Sequence, residues 1–332
     1  MEEATAAPIA DAGLAARRKS PAFIASLFIL GIAVGWAFAY MWRNPESASV
    51  PASQPTIAYI KAPAEADLAF SRGFALAPDG HTLVFAARTA DGQWRLWKRR
   101  LDNPHALPMA GTDDALLPFW SPDGRQIAFC ANHELRRVPA EGGQIRTICA
   151  MASPIFGTWG NTNEILFSEN PKPGVTLFRV AAEGGTPVQV SGLGNGDAFY
   201  PQWLSGSRFF LFCRSEGDRL RQICAASIDG NQPPKLITRI ENESERVGRS
   251  FFFSPPGRLF FNRAGALNVQ RFDPESLSVM GQAVALTGLV GNPMNWFALT
   301  AAQDKAAMLA RESRDDTSDP GSPLCRLKWL DR

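Results

Sequence analysis

Read for its hydrophobic and polar positions, the chain shows two regimes. From Pro21 to Trp42 it runs PAFIASLFILGIAVGWAFAYMW, 22 residues without a charge. A bilayer-crossing helix needs roughly 20 predominantly apolar residues. Past residue 55 the pattern changes to short apolar runs of strand length, broken by Gly, Pro, Asp and Asn. Such runs predict many short β-strands joined by tight turns.

The second regime repeats itself. The block ALAPDGHTLVFAA begins at Ala75, and FWSPDGRQIAFCA at Phe119. Weaker copies begin at Thr158 (TWGNTNEILFSE), Gln202 (QWLSGSRFFLFCR), Phe252 (FFSPPGRLFFNR) and Ala298 (ALTAAQDKAAMLAR). The residues just before the turn are Leu76, Trp120, Trp159, Trp203, Phe253 and Leu299, spaced by 44, 39, 44, 50 and 46. A period of about 40–50 residues with β composition is that of propeller blades, each of four strands. Pro-Asp-Gly makes the first turn: Pro fixes φ, Asp bonds its own backbone and Gly accepts positive φ. The second strand is near-continuously apolar and carries Phe85, Phe129, Phe167, Phe212 or Phe261. Continuous apolar runs are expected where both faces of a strand are covered.

The expected fold class is therefore all-β: a six-bladed β-propeller of four-stranded blades, preceded by one transmembrane α-helix. Residues 1–20 form a tail, 21–42 the membrane helix, 43–55 a Pro/Ser/Ala-rich linker and 56–332 the propeller. Blades start near 73, 117, 156, 200, 250 and 296. The sixth block lacks a fourth run, and Thr56–Ile60 (TIAYI) is an extra alternating strand. Pairing the two closes the ring and removes its edges. The rival account is a piece of a longer repeat protein.

Arg17, Arg18 and Lys19 precede the apolar segment, and only Arg43 follows it closely. The positive-inside rule keeps the N-terminus in the cytoplasm and sends the propeller outside it, tethered to the inner or plasma membrane. A cleaved signal peptide is the competing reading, with Ala37-Phe38-Ala39 as its cleavage site. Gly31, Gly35 and Ala39 share one helix face, a spacing that permits a weak homodimer or is simply common membrane-helix composition.

Composition adds exclusions. Formal net charge is +2, too near neutral for a nucleic-acid binder. The five cysteines, at 130, 149, 213, 224 and 325, include no C-x-x-C pair. Cys213 and Cys224 flank the turn SEGDRLR, where they are candidates for a cross-strand disulfide or two buried strand thiols. His81 falls in a turn, His105 opens a fourth strand and His133 a third, so they predict neither a metal site nor a Ser–His pair. Asp113-Asp114 and Asp315-Asp316 read as solvated loop acids. No cofactor is expected and, on these absent motifs, no enzymatic activity.

WSPDGRQIAF at 120–129 and LFRVAAEGGTPVQV at 177–190 resemble the WD40-like PD40 repeat of TolB-type propellers. The resemblance spans roughly residues 55–332 and fades in the last two blocks. A basic stretch, one membrane helix, a linker and such blades are also similar in layout to bacterial membrane-anchored serine/threonine kinases with an extracytoplasmic propeller. The chain departs from them in having only 20 residues before the helix and no H-R-D or D-F-G motif. The resemblance implies a sensor part without its kinase, or a fragment of a split receptor. An enzyme with its active site at the channel mouth is the reading from another class.

The loops entering each first strand are expected to converge on the channel. They hold Arg72, Asp114, Phe156, Asp197, Tyr200, Glu245, Arg246, Arg249, Asn295 and Trp296. Aromatics and arginines dominate interface hot spots, so the expected partner is a protein or peptide of the cell envelope.

Overall fold

The computed structural model divides the chain into two compact units, Met1–Ala52 and Ser53–Arg332. It describes residues 57–60, 66–68, 73–89, 91–170, 174–204, 206, 208–216, 220–241, 251–263, 266–285, 297–302, 305–311 and 325–330. All of these lie in the second unit. No helix among the described residues is long and apolar enough to cross a membrane. The predicted membrane segment 21–42, with Gly31, Gly35 and Ala39, lies outside them.

Among the described residues every regular element is a strand, and all the pairings are antiparallel. The chain opens with β1 (Ile57–Ile60). The first sheet has β2 (Ala66–Leu68), β3 (Phe74–Leu76), β4 (Thr82–Thr89), β5 (Trp94–Arg100) and β6 (Leu107–Pro108). The second has β7 (Leu116–Trp120), β8 (Gln126–Ala131), β9 (Glu134–Pro139) and β10 (Arg146–Ala150). The third has β11 (Pro154–Trp159), β12 (Glu164–Glu169), β13 (Thr176–Ala181) and β14 (Val188–Gln189). The fourth has β15 (Ala198–Trp203), β16 (Phe209–Glu216), β17 (Leu220–Ser227) and β18 (Lys235–Glu241). The fifth has β19 (Phe251–Ser254), β20 (Arg258–Arg263), β21 (Ala266–Asp273) and β22 (Ser278–Ala285). The last strands, β23 (Phe297–Ala302), β24 (Lys305–Arg311) and β25 (Cys325–Leu330), share a sheet with β1 in the order β1-β25-β24-β23. In that sheet Ile57 is opposite Lys328 and Ile60 opposite Cys325.

The repeated turn block lies between the first and second strand of each sheet. Asp79 accepts the N–H of His81 at 2.7 Å, and Asp123 that of Arg125 at 3.0 Å. The turn glycines Gly80 and Gly124 both sit at φ 70°. The second strands that follow are buried on both faces: Leu83 to Ala87, Ile127 to Ala131 and Ile165 to Glu169 are all buried. Burying one Phe, Leu or Ile side chain contributes roughly 1.5–3 kcal/mol, so these central strands carry much of the stability.

Neighbouring sheets share cores. Val84, Trp120, Phe129 and Val138 join the first sheet to the second, and Phe119, Phe167 and Val180 join the second to the third. The first strands lie side by side: β3 against β7, β7 against β11, β11 against β15, β19 against β23, and β23 against β3. Between β15 and β19 the Gln202 amide stands in for a ladder partner, donating to Phe253 O at 2.7 Å and accepting its N–H at 2.8 Å. The Trp120 indole donates to Ala75 O of the preceding sheet at 3.1 Å.

Two features differ from expectation. The first sheet has five strands: β2 pairs with Ala87–Thr89 and β3 with Leu83–Phe85, two short segments along one edge of β4. The disulfide is not formed. Cys213 and Cys224 are both reduced thiols and fully buried. Cys213 is opposite Ile223 and Cys224 opposite Phe212, so the two thiols point to opposite faces of the sheet. Cys213 joins the core shared with the fifth sheet, and Cys224 the core shared with the third. Burial pushes the Cys213 thiol up to about 12.

Candidate functional site

Each first strand runs from an inter-sheet connection toward its tight turn, so the two ends of a sheet differ. The connections between sheets and the second-to-third connections share one end, called here the loop end. Of the predicted binding residues, Asp114, Phe156, Asp197 and Tyr200 belong to it. Arg72, Glu245, Arg246, Arg249, Asn295 and Trp296 lie outside the described residues. The other four can be placed.

Phe156 and Tyr200 meet. Their rings are 4.7 Å apart in an edge-to-face arrangement, and Phe199 lies edge-on to Tyr200 at 5.1 Å. Tyr200 is buried, while Phe156 and Phe199 are half-buried. Edge-to-face pairs match the positive ring edge to the negative face and add about 0.5–1.5 kcal/mol beyond burial. Arg221 completes the group, with its guanidinium 4.8 Å from the centre of the Phe199 ring. A cation over an aromatic face contributes about 0.5–1 kcal/mol when exposed, more when desolvated.

The backbone explains how three rings converge. The register of β15 on β16 shifts between Phe199 and Gln202, and Tyr200 takes φ 56°. A bulge of this kind turns consecutive side chains out of strict alternation. Register shifts also break β7 between Leu116 and Phe119 and β11 between Pro154 and Phe156. Leu117, at φ 53°, holds in β7 the place that Tyr200 holds in β15, and Gly73, at φ 95°, holds it beside β3. Bulky residues at positive φ are uncommon and concentrate where structure serves a site.

Asp197 and Asp114 are not part of the aromatic group. The Asp197 carboxylate accepts the Val175 N–H at 2.8 Å, and its backbone bonds Ser215 at 3.1 Å. It therefore braces the second-to-third connection of the preceding sheet. Asp114 is exposed at φ 57° and donates its N–H to Trp94 O at 2.7 Å. Its neighbour Asp113 accepts from Arg95 Nε at 2.6 Å.

Phe199, Arg214, Arg221 and Gln222 were not singled out in the sequence. Arg214 donates to Gln222 Oε1 and to Leu193 O, the latter at 3.2 Å, fixing the approach to β15. Their only sequence signal is position: Phe199 adjoins Tyr200, and Arg214, Arg221 and Gln222 lie two to three residues from residues 217–219. Among the described residues no group of three His, Cys, Asp or Glu side chains is arranged to hold a metal ion. His133 sits at this end with Nδ1 3.2 Å from Ala152 O; His81 and His105 belong to the opposite one.

No family model matches the chain, and no curated protein does. Solved structures do. A putative TolB from Agrobacterium tumefaciens is 17% identical, with a TM-score of 0.51 over 72% of this chain and 91% of its own. A gluconolactonase from Xanthomonas campestris is 14% identical, with a TM-score of 0.52 over 85% and 93%. A nidogen/laminin complex contributes a chain 13% identical, with a TM-score of 0.52 over 76% and 96%. The gluconolactonase overturns the expectation of no enzymatic activity. The same architecture carries catalysis there, so missing peptidase and kinase motifs exclude only those chemistries. Kinship with the receptor kinases is not among the findings. At these identities the likeness is one of architecture: the chain folds as a TolB-like β-propeller.

Proposed function

We propose that the chain is a single-pass membrane protein whose extracytoplasmic propeller presents its loop end to a protein or peptide of the cell envelope. In this reading Pro21–Trp42 is the anchor and the N-terminus is cytoplasmic. Six sheets form six blades, closed into one ring where Ile57–Ile60 pairs with Cys325–Leu330. The contact of β23 with β3 supports that closure.

The observation that carries the binding role is the group of Phe156, Phe199, Tyr200 and Arg221 at the loop end. Half-buried aromatics beside an arginine are the anchors from which interface hot spots are built. Being held by a bulged strand, they are pre-organised, which lowers the ordering cost of association. Arg72, Arg249 and Trp296 belong to the same set of converging loops in this proposal.

A photo-crosslinking residue in place of Phe199 in intact cells tests it. A discrete adduct that disappears with Arg221→Ala and with Trp296→Ala, while the fold is retained, is expected. An unchanged adduct pattern in both variants, or none at all, overturns the reading. A reporter fused after Arg332 tests the orientation: activity of a cytoplasm-only reporter would refute it.

A further inference from the structure

The opposite end of the sheets, the turn end, carries a cleft of its own. It lies between the first and second sheets and has a volume of about 470 Å³. That is within the range of small-molecule sites, about 300–1,000 Å³. Its base is where two turns touch: a Cβ on Gly124 would come 3.6 Å from Pro78 Cδ. Lys98 crosses the seam, donating to Ala140 O of the second sheet at 2.7 Å. The apolar part of the wall is Trp120, buried, and Leu107, which is 67% exposed.

The charges in the cleft are answered in place. Lys98 pairs with Glu141 at 3.1 Å. Arg100 makes two bonds to Asp102, at 3.0 and 2.8 Å. Asp79 takes the N–H groups of His81 and Thr82 and the Thr82 hydroxyl. Asp123 takes the Ser121 hydroxyl and the Arg125 N–H. Three lining acids, with Asp102 behind Arg100, outnumber the two cations and repel an anion, while Asp79 and Asp123 spend their oxygens on their own turns rather than on the space. What stays open among the described residues is hydrogen-bonding capacity. The third Lys98 N–H, the Arg100 Nη1 donors, the Asn103 amide and the His105 ring all border the space. Bonding groups of this kind around a small apolar wall suit hydroxyl groups on a C–H face.

We infer that this cleft, walled by Leu107 and Trp120 and bordered by Lys98, Arg100, Asn103 and His105, binds a short neutral oligosaccharide. It stands apart from the loop-end reading, since its residues all belong to the other end of the strands.

Saturation-transfer NMR on the full chain in detergent micelles tests it, with maltotriose, chitotriose and cellotriose as probes and trigalacturonic acid as the charged control. At least one neutral trisaccharide is expected to bind, with affinity falling about tenfold when Asn103→Ala and His105→Ala remove two hydrogen bonds. Phe199→Ala at the loop end should leave that affinity unchanged, and a thermal melt confirms that each variant is folded. The inference is overturned if no neutral trisaccharide shows transfer at ~10 mM, near the weakest affinity that still counts as binding. It is equally overturned if the acid binds more tightly, or if Asn103→Ala with His105→Ala leaves a folded protein with full affinity.

Discussion

The two ends of the sheets differ in how they are built. At the turn end the backbone takes positive φ mainly at glycine, as at Gly80 and Gly124, and aspartates lock the turns from within. At the loop end positive φ falls on glycines too, such as Gly73 and Gly92, but also on Leu117 and Tyr200, inside bulged first strands. The turn end solves a generic problem, reversing the chain in as few residues as it can, and one short motif does so in sheet after sheet. The loop end aims side chains, and each sheet aims different ones. Regularity therefore marks the scaffold and irregularity the face that is free to specialise.

If the first strands are a tight inner layer, the largest effect should come from crowding them. A Cβ on Gly157 would lie 2.4 Å from Cε1 of Phe119, itself only 9% exposed in the neighbouring sheet. Gly157→Val should cost about 3 kcal/mol, the upper range for overpacking. Urea denaturation should show it as a lower midpoint with an unchanged slope. Pairing it with Phe119→Ala should restore part of the loss, because the ring is what the new methyls strike. No recovery would mean that the cost lies in the β11 backbone.

Gly73 and Gly124 set the two ends against each other directly. Both have positive φ, but a Cβ on Gly73 would meet Leu117 Cα at 2.9 Å, whereas on Gly124 it meets only the Pro78 ring at 3.6 Å. Gly124→Ala should cost about 1 kcal/mol, the strain of a left-handed L-residue alone. Gly73→Ala should cost about 2–3 kcal/mol, since backbone must also move. Equal losses would break the claim that the inner strands approach more closely at the loop end.

Much of this architecture was legible in the sequence, for a physical reason. Tight turns admit few residue types, so Ser121-Pro122-Asp123-Gly124 repeats recognisably, and doubly covered strands such as Ile127–Ala131 must be apolar throughout. What was not legible depends on register. Cys213 and Cys224 look like hairpin neighbours, but the partner of Cys213 is Ile223, and a shift of one residue sends the thiol to the other face. The strand β2 escaped notice because Ala66–Leu68 is too short to show a period. The aromatic group was half visible: Phe156 and Tyr200 were expected in converging loops, whereas Phe199 and Arg221 join them only through the bulge. Whether the fold carries catalysis was not legible at all, because missing motifs of other folds say nothing about chemistry grafted on this one.

The bulge makes its own prediction. At an ordinary strand position Ala is more stable than Gly by roughly 0.5–1 kcal/mol. Leu117, half-buried at φ 53°, should reverse that order. Leu117→Ala and Leu117→Gly lose nearly the same side chain, so their difference isolates the backbone. Gly should be the more stable by about 1 kcal/mol, because only it avoids the left-handed penalty. If Ala wins, the positive φ of β7 is not a feature of the folded protein, and the two ends differ less than described.

The smallest effect belongs to the turn end and depends on pH. The Ser121 hydroxyl, and after it the Arg125 N–H, holds the Asp123 carboxyl below the usual carboxylate range. The Ser276 hydroxyl and the Glu275 N–H do the same for Asp273, in the turn between β21 and β22. A carboxyl depressed on folding stabilises fully above its unfolded value of about 3.9 and loses that contribution as pH falls through the folded value. Both groups are at the surface, so solvent screens much of the effect. Melting temperatures of the wild type and of Asp123→Asn with Asp273→Asn should therefore converge as the pH is lowered below 4, the variant being the less stable at neutral pH. The residues that impose the shift are hydroxyls and backbone N–H groups, so added salt should leave the convergence in place. If the two curves stay parallel down to acid pH, those turns are held by backbone preference alone, and the aspartate is present for its conformational preference rather than its charge.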